Sequence, residues 1–275
     1  MTMLKTRKEI AAWLDKNHIE NYDIAEDLTI SVIGDVFLSD INSMSLPVKF
    51  SVVSGYFSCH SNKLTSLVGC PQEVGGYFSC DDNQLTTLLG CPKKVVGDFY
   101  CNLNKLQSLE GCPVSIGGDF TCVLNNLSSL VGCPEIIGSF SCNNNCLTDL
   151  VGGPKTIGGN YSIGNNKLLT LEGCPEKVSG DFYCVGNKLT SLKGCPELVG
   201  GNFLCNDNYL TDMDSCPEKV GGYFSYYGNK SLDTIFNDMS FSQIRLYVKN
   251  KDLNNSLSEN LLVSEVKKVV IGKKI

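Results

Sequence analysis

Residues 52–72 read VVSGYFSCHSNKLTSLVGCPQ, and the same line returns as EVGGYFSCDDNQLTTLLGCPK at 73–93 and KVVGDFYCNLNKLQSLEGCPV at 94–114. It continues as far as LVGGNFLCNDNYLTDMDSCPE at 198–218. An asparagine marks each unit: Asn62, Asn83, Asn104, Asn125, Asn145, Asn166, Asn187, Asn208 and Asn229. Every step is 21 residues except that from Asn125 to Asn145, which is 20. Eight complete units span 52–218, a ninth begins at 219, and a degenerate one occupies 31–51. Repetition at this period signals a solenoid, whose units bury their apolar faces only against one another.

Each unit follows F-x-C-x-x-N-x-L-x-x-L-x-x-C-P, as in Phe57, Cys59, Asn62, Leu64, Leu67, Cys70 and Pro71. Alternation of Phe and Cys about one outward residue suits a short strand. The asparagine that follows has an amide able to satisfy turn backbone, so stacked units should form an asparagine ladder. Two leucines bury the return limb, which Gly69 and Pro71 punctuate. At a strand spacing of about 4.8 Å, ten units make a rod about 50 Å long. The segment resembles the L-x-L-x-x-N-x-L core of a leucine-rich repeat, with aromatic and cysteine residues in the first two leucine places. The fold expected is therefore a leucine-rich-repeat solenoid, with one β-strand plus irregular or turn structure per 21-residue repeat. One spacing departs from that pattern: the apolar residue before the aromatic lies four positions back, as from Val74 to Phe78, and not three. This predicts a bulge or wide turn at the Gly-Gly pair. The 20-residue step is read as a deletion from this glycine-rich stretch, leaving Ile137-Gly-Ser-Phe140 at the usual spacing.

Solenoids need caps over their end turns. Thr6-x-x-Glu9 forms a capping box ahead of Ile10, Trp13 and Leu14 at helical spacing, predicting an N-terminal helix with Trp13 in its core. Ser256-x-x-Glu259 is a second capping box, ahead of Leu261, Leu262, Val266, Val269 and Val270, with Lys267 and Lys268 suited to a helix C-terminus. The expected organisation is a helical cap over 1–30, a solenoid of about ten units over 31–231, and a helical cap over 232–275.

Ile19-x-Asn21-Tyr22-x-Ile24, Asp27-Leu28-Thr29, Leu46-Pro47-Val48-Lys49-Phe50 and the repeated N-x-L-T-S-L-x-G-C-P extend the likeness. With them, residues 19–231 resemble the leucine-rich-repeat proteins of tailed bacteriophages and some bacteria. That resemblance implies a host or defence protein as the thing bound. Bacterial effector ubiquitin ligases are similar in repeat length but carry a large catalytic domain after the repeats, which the 44 residues beyond Ser231 are too few to supply.

The 15 cysteines fall into two columns plus one outlier. Cys59, Cys80, Cys101, Cys122, Cys142, Cys184 and Cys205 share one place, which Ile163 and Tyr226 also fill. Cys70, Cys91, Cys112, Cys133, Cys174, Cys195 and Cys216 share the other, with Gly153 standing in once. Those replacements suit a packed core and would destroy a metal site, so neither metal nor disulfide is expected. Cys146 instead occupies the place of Lys63, Lys105, Lys167 and Lys188, where a thiol should meet solvent.

Net charge is −6 at 19% charged residues, which speaks against a basic nucleic-acid binder. No apolar run follows the charges of MTMLKTRKEI, so neither a signal peptide nor a membrane span is expected, and reduced thiols point to the cytoplasm. No catalytic motif appears: Gly152-Gly153-Pro154-Lys155-Thr156 imitates the end of a P-loop but has Pro154 where glycine is needed, and His18 and His60 lack a matched nucleophile. The sequon Asn160-Tyr161-Ser162 has no secretory context. The chain is thus expected to be a non-enzyme without cofactors.

Binding is expected on the concave, strand-bearing face, through outward residues that vary while the core repeats. Tyr56, Tyr77, Asp98, Tyr100, Asp119, Asp181, Tyr183 and Tyr223 are the candidates, chosen because tyrosine anchors interfaces at low entropic cost. A single protein partner is the leading expectation. A structural solenoid that self-associates into homo-oligomers, or a carbohydrate- or nucleic-acid-recognising grid, are the alternatives. The Lys63, Lys105, Lys167, Lys188 and Lys230 stripe reads as a solvated flank.

Overall fold

Phe-x-Cys places alternate side chains inward, and the structure, a computed structural model, builds on that alternation. It describes residues 3–236 and 239–254. The chain winds into a β-solenoid of about nine turns. Phe57, Phe78, Phe99, Phe120, Phe140, Phe182 and Phe203 are fully buried, and consecutive rings of the column lie 4.9 to 5.9 Å apart. Their two-residue strands join in parallel register into a ten-stranded sheet, from Val36–Phe37 at one end to Phe224–Ser225 at the other. We call it the phenylalanine sheet.

The one-strand-per-repeat expectation is incomplete. A second strand precedes the corner in every full turn except that of Ile157, as at Glu73–Val74, Lys94–Val95 and Ser115–Ile116. These strands form a seven-stranded sheet from Tyr22–Ile24 to Glu135–Ile136 and a three-stranded one over Lys177–Val178, Leu198–Val199 and Lys219–Val220. The Gly-Gly pair is the corner between this valine sheet and the phenylalanine sheet. The second glycine of the pair is demanded by close approach: a Cβ on Gly118 would lie 2.1 Å from Asp98 Oδ1, and one on Gly201 2.2 Å from Asp181 Oδ1. Between the sheets lie the two cysteine columns and the leucines of the return limb, of which Leu64, Leu67, Leu85 and Leu88 are fully buried.

The asparagine ladder forms as read from the sequence. Asn83 Nδ2 donates to Cys80 O (3.1 Å) and Asp81 O (3.0 Å) of its own turn and to Cys59 O (3.0 Å) of the turn before. Its Oδ1 accepts from Leu64 N–H at 2.9 Å. The same set recurs down to Asn229, which is wholly buried.

The 20-residue step is not where the sequence suggested. Ile136 pairs with Ile116 and is buried, whereas Ile137 stands at the place of Gly117 and is 69% exposed. The four-residue spacing to Phe140 is therefore kept, and the missing residue falls between Pro134 and Ile136. The physical reason is that the deletion costs least on the exposed approach to the strand, where Val114 of the preceding turn stands in solvent. The valine sheet lapses immediately afterwards, and an isolated parallel bridge joins Ile157 to Val178 where it resumes.

Helix α1 (Arg7–Lys16) begins at the expected capping box, with Glu9 N–H donating to Thr6 Oγ1 and Thr6 N–H to Glu9 Oε2. Ile10 and Leu14 enter the core and Trp13 packs against it. At the other end lie α2 (Lys230–Asp233) and a helix over 241–254, which seats Ile244 and Val248 in the core. Phe224 meets Phe241 at 4.7 Å. The second capping box, Ser256 to Glu259, lies outside the described residues. No helix among the described residues is long and apolar enough to cross a membrane.

Two departures from the repeat compensate each other. Where phenylalanine becomes Tyr161, the cysteine eight residues earlier becomes Gly153, and a Cβ at Gly153 would lie 3.5 Å from the tyrosine hydroxyl. The hydroxyl fills the sulfur's space but is buried without a hydrogen-bond partner. Gly153→Cys alone should destabilise the protein by about 1–3 kcal/mol through overpacking. Combined with Tyr161→Phe, it should instead stabilise by about 1 kcal/mol as the unpaired hydroxyl is removed. Denaturant unfolding of the two single variants and the double variant measures the coupling.

Candidate functional site

Four columns of side chains point away from the core on the phenylalanine sheet and the bend that follows it. The first runs Asp35, Tyr56, Tyr77, Asp98, Asp119, Ser139, Asn160, Asp181, Asn202, Tyr223. It is a second ladder. Asp98 Oδ1 accepts Asp119 N–H (2.8 Å), Asp119 Oδ1 accepts Ser139 N–H (2.6 Å), and Asn160 Oδ1 accepts Asp181 N–H (2.8 Å). Asp181 Oδ1 then accepts Asn202 N–H (2.6 Å), and Asn202 Oδ1 accepts Tyr223 N–H (2.8 Å). Asp98, Asp119 and Asp181, chosen from the sequence as partner-binding residues, each spend one carboxylate oxygen holding the next turn. The other oxygen of Asp98 accepts the Tyr100 hydroxyl at 2.6 Å, and that of Asp181 accepts the Tyr183 hydroxyl. Burial, followed by the Asp98 hydrogen bond, pushes the Tyr100 phenol well above its ordinary value. For Tyr183 the Asp181 hydrogen bond is the larger cause of the rise. Backbone donation from Asn202 and the Tyr183 hydroxyl in turn lower the Asp181 carboxyl.

The remaining sequence candidates do not form one cluster. Tyr56 and Tyr77 stack at 4.5 Å and 15°, and Tyr77 reaches Tyr100 at 5.9 Å, giving a three-ring run over three turns. Tyr183 lies four turns from Tyr100, and Tyr223 stands exposed at the last turn. Its neighbour Tyr226 is engaged differently, donating its hydroxyl to Phe236 O.

The second column begins Phe37, Ser58, Ser79, Tyr100, and the third contains His60, Asp81, Asn102, Val123 and Asn143. The third ladders in part: Asp81 Oδ1 accepts Asn102 N–H (2.6 Å), and Asn102 Oδ1 accepts Val123 N–H (2.7 Å). The fourth column, just before the ladder asparagines, adopts left-handed backbone at Asp40, Ser61, Asp82, Leu103, Leu124, Asn144, Asn165 and Asp207, and at Gly186 and Gly228. Leu103 and Leu124 were not singled out by sequence, because leucine carries no signal for a positive φ.

Charge on these columns is one-sided. They contain eight aspartates (Asp35, Asp40, Asp81, Asp82, Asp98, Asp119, Asp181, Asp207) and no lysine, arginine or glutamate. None of the eight is ion-paired among the described residues. The lysine stripe, Lys63, Lys105, Lys167, Lys188 and Lys230, lies beyond the buried asparagines on the return limb and is exposed. The valine-sheet surface mixes signs, as in the Lys94–Glu73 contact.

Both cysteine columns face inward, and all 15 thiols are free. Column-one sulfurs other than that of Cys142 donate to a carbonyl of the next turn, such as Cys59 to Ser79 O at 3.4 Å. Burial pushes Cys91 and Cys133 up to about 12, which leaves them as neutral thiols. No group of three His, Cys, Asp or Glu among the described residues is placed to hold a metal. The P-loop imitation is a turn beside the break in the valine sheet, where Lys155, Ile157, Cys174 and Lys177 line a shallow groove. Compared with known proteins, the sequence matches no family model and no curated protein.

Two measurements follow from this geometry. Cys146 belongs to neither core column, and Lys167 Nζ lies 3.5 Å from its sulfur. In the native protein it should be the first thiol to react with a disulfide reagent, and Cys146→Ser should remove the fast phase. Asp81 is pushed above its ordinary value, chiefly by burial. A carboxyl with a raised folded-state value binds its proton more readily when folded, so its charge costs stability above that value and nothing once pH falls below the ordinary carboxyl range. Asp81→Asn, which keeps the acceptor as Asn102 does, should raise Tm at pH 7. The gain should vanish as thermal melts are taken to acid pH.

Proposed function

We propose that the chain is a non-catalytic protein-binding solenoid of the leucine-rich-repeat kind, taking one macromolecular partner on the outer face of the phenylalanine sheet. The carrying observation is the pair Leu103 and Leu124. They sit in successive turns at φ 54° and 57°, with side chains 50% and 49% exposed. Left-handed backbone costs a leucine about 1–2 kcal/mol, and the same column elsewhere uses serine, aspartate, asparagine or glycine. Neither the strain nor the exposed apolar area serves the fold, since asparagine at residue 144 makes the same bend. Such sites, with strain and apolar surface together, are where binding function concentrates. Tyr100 and Val123 flank the pair on the sheet side.

Fifteen cysteines with no disulfide among them support an intracellular setting for this activity. The sequence resemblance to phage-type repeat proteins extends the reading to a host or defence component as the target.

Leu103→Asn/Leu124→Asn tests the proposal. It should raise stability by about 1 kcal/mol or more by relieving the backbone. It should also abolish capture of the partner in affinity pull-downs from bacterial lysate read by mass spectrometry. A stabilised variant that captures the same proteins as wild type overturns the reading.

A further inference from the structure

The proposed binding face is negatively charged and rich in acceptor oxygens, and its donors, His60 aside, are neutral hydroxyls and amides. Eight aspartates lie on it with no basic residue among them apart from His60. A second observation, independent of charge, points the same way. Three buried polar side-chain atoms among the described residues have no partner, and two of them belong to this face: Ser58 Oγ and Asn206 Oδ1. Ser58 follows the inward Phe57 and so points outward, yet it is only 1% exposed. An orphaned hydroxyl in such a place is destabilising unless a partner completes it.

We infer that this face is built for an arginine-rich polypeptide segment. The inference rests on the protein-binding reading above and names its partner's chemistry. Guanidinium carries five donors and no acceptor, which complements a surface of carboxylates, a hydroxyl and an amide oxygen. It also stacks on aromatic faces, and the Tyr56–Tyr77–Tyr100 run supplies three successive rings, two of them between Asp35 and Asp98 and the third beside Asp98. Lysine shares the charge but neither the planar fork nor the stacking. Nucleic acid and anionic lipid are disfavoured by the same eight charges.

The first ladder supplies a substitution that removes charge and leaves the fold intact. Asn160 and Asn202 already do in that column what the aspartates do. The Asp98→Asn/Asp119→Asn/Asp181→Asn variant should therefore keep its circular dichroism and Tm. Fluorescence anisotropy with a labelled oligo-arginine peptide should show binding to wild type that weakens with salt, and a loss of about tenfold in the triple variant. Ser58→Ala should weaken it severalfold. Glu73→Gln/Glu135→Gln/Glu197→Gln, which removes equal charge from outside this face, should leave binding unchanged. An oligo-lysine peptide should bind more weakly than oligo-arginine. Equal losses in the two triple variants, equal binding of the two peptides, or no binding of oligo-arginine each overturn the inference. If oligo-arginine fails while Leu103→Asn/Leu124→Asn still loses a captured protein, the arginine partner falls and the binding face stands. If that variant also captures normally, both readings fall.

Discussion

Every turn of this solenoid is completed by its successor. The asparagine amide at each turn reaches back to a carbonyl and an amide N–H of the turn before, in surroundings where water cannot substitute. Backbone groups left unpaired at such a depth cost more than any single apolar contact returns. The tight corners, the stacked phenylalanines and the two sheets all presuppose that these groups are satisfied. A two-residue strand such as Phe78–Ser79 would not hold a sheet on its own bonds. It holds because asparagine amides and, on the outer face, aspartate and asparagine side chains stitch each turn to the next.

This stitching divides the labour between core and surface. Inward positions are nearly fixed in size, and where one changes another answers it, as Tyr161 answers Gly153. Outward ladder positions need only an acceptor oxygen, so aspartate, asparagine and serine interchange at Asp98, Asn160 and Ser139 with the architecture unchanged. The choice among them sets charge alone. The concentration of aspartates on one sheet face and of mixed charges on the other is thus a property of the surface that the fold does not require.

The period, the asparagine ladder, the inward cysteine columns and the Thr6 capping box were legible because each rests on a local, repeated chemical need. The second strand was not, since two residues such as Glu73–Val74 leave no alternation to detect. Placement of the short step failed because Ile136 and Ile137 are equally apolar in sequence and only pairing with Ile116 decides between them. Among site residues, the variable outer columns could be read off directly. That Asp98, Asp119 and Asp181 are also structural could not, because their bonds go to residues 20 or 21 positions away. Leu103 and Leu124 were hidden for the opposite reason: their backbone is set by the bend they occupy and not by their own preference.

The ladder also has a polarity with consequences during synthesis. Since each asparagine serves the turn that precedes it, a turn leaving the ribosome stays incomplete until about one further repeat has emerged. The nascent solenoid therefore carries a single unfinished turn at its growing end and a finished body behind it, advancing in 21-residue increments. Asn229 closes the series for the turn of Asn208, and nothing of the repeat follows to serve Asn229's own turn. There the chain switches from repetition to helix, with Phe241, Ile244 and Val248 covering the core that the next turn would have covered.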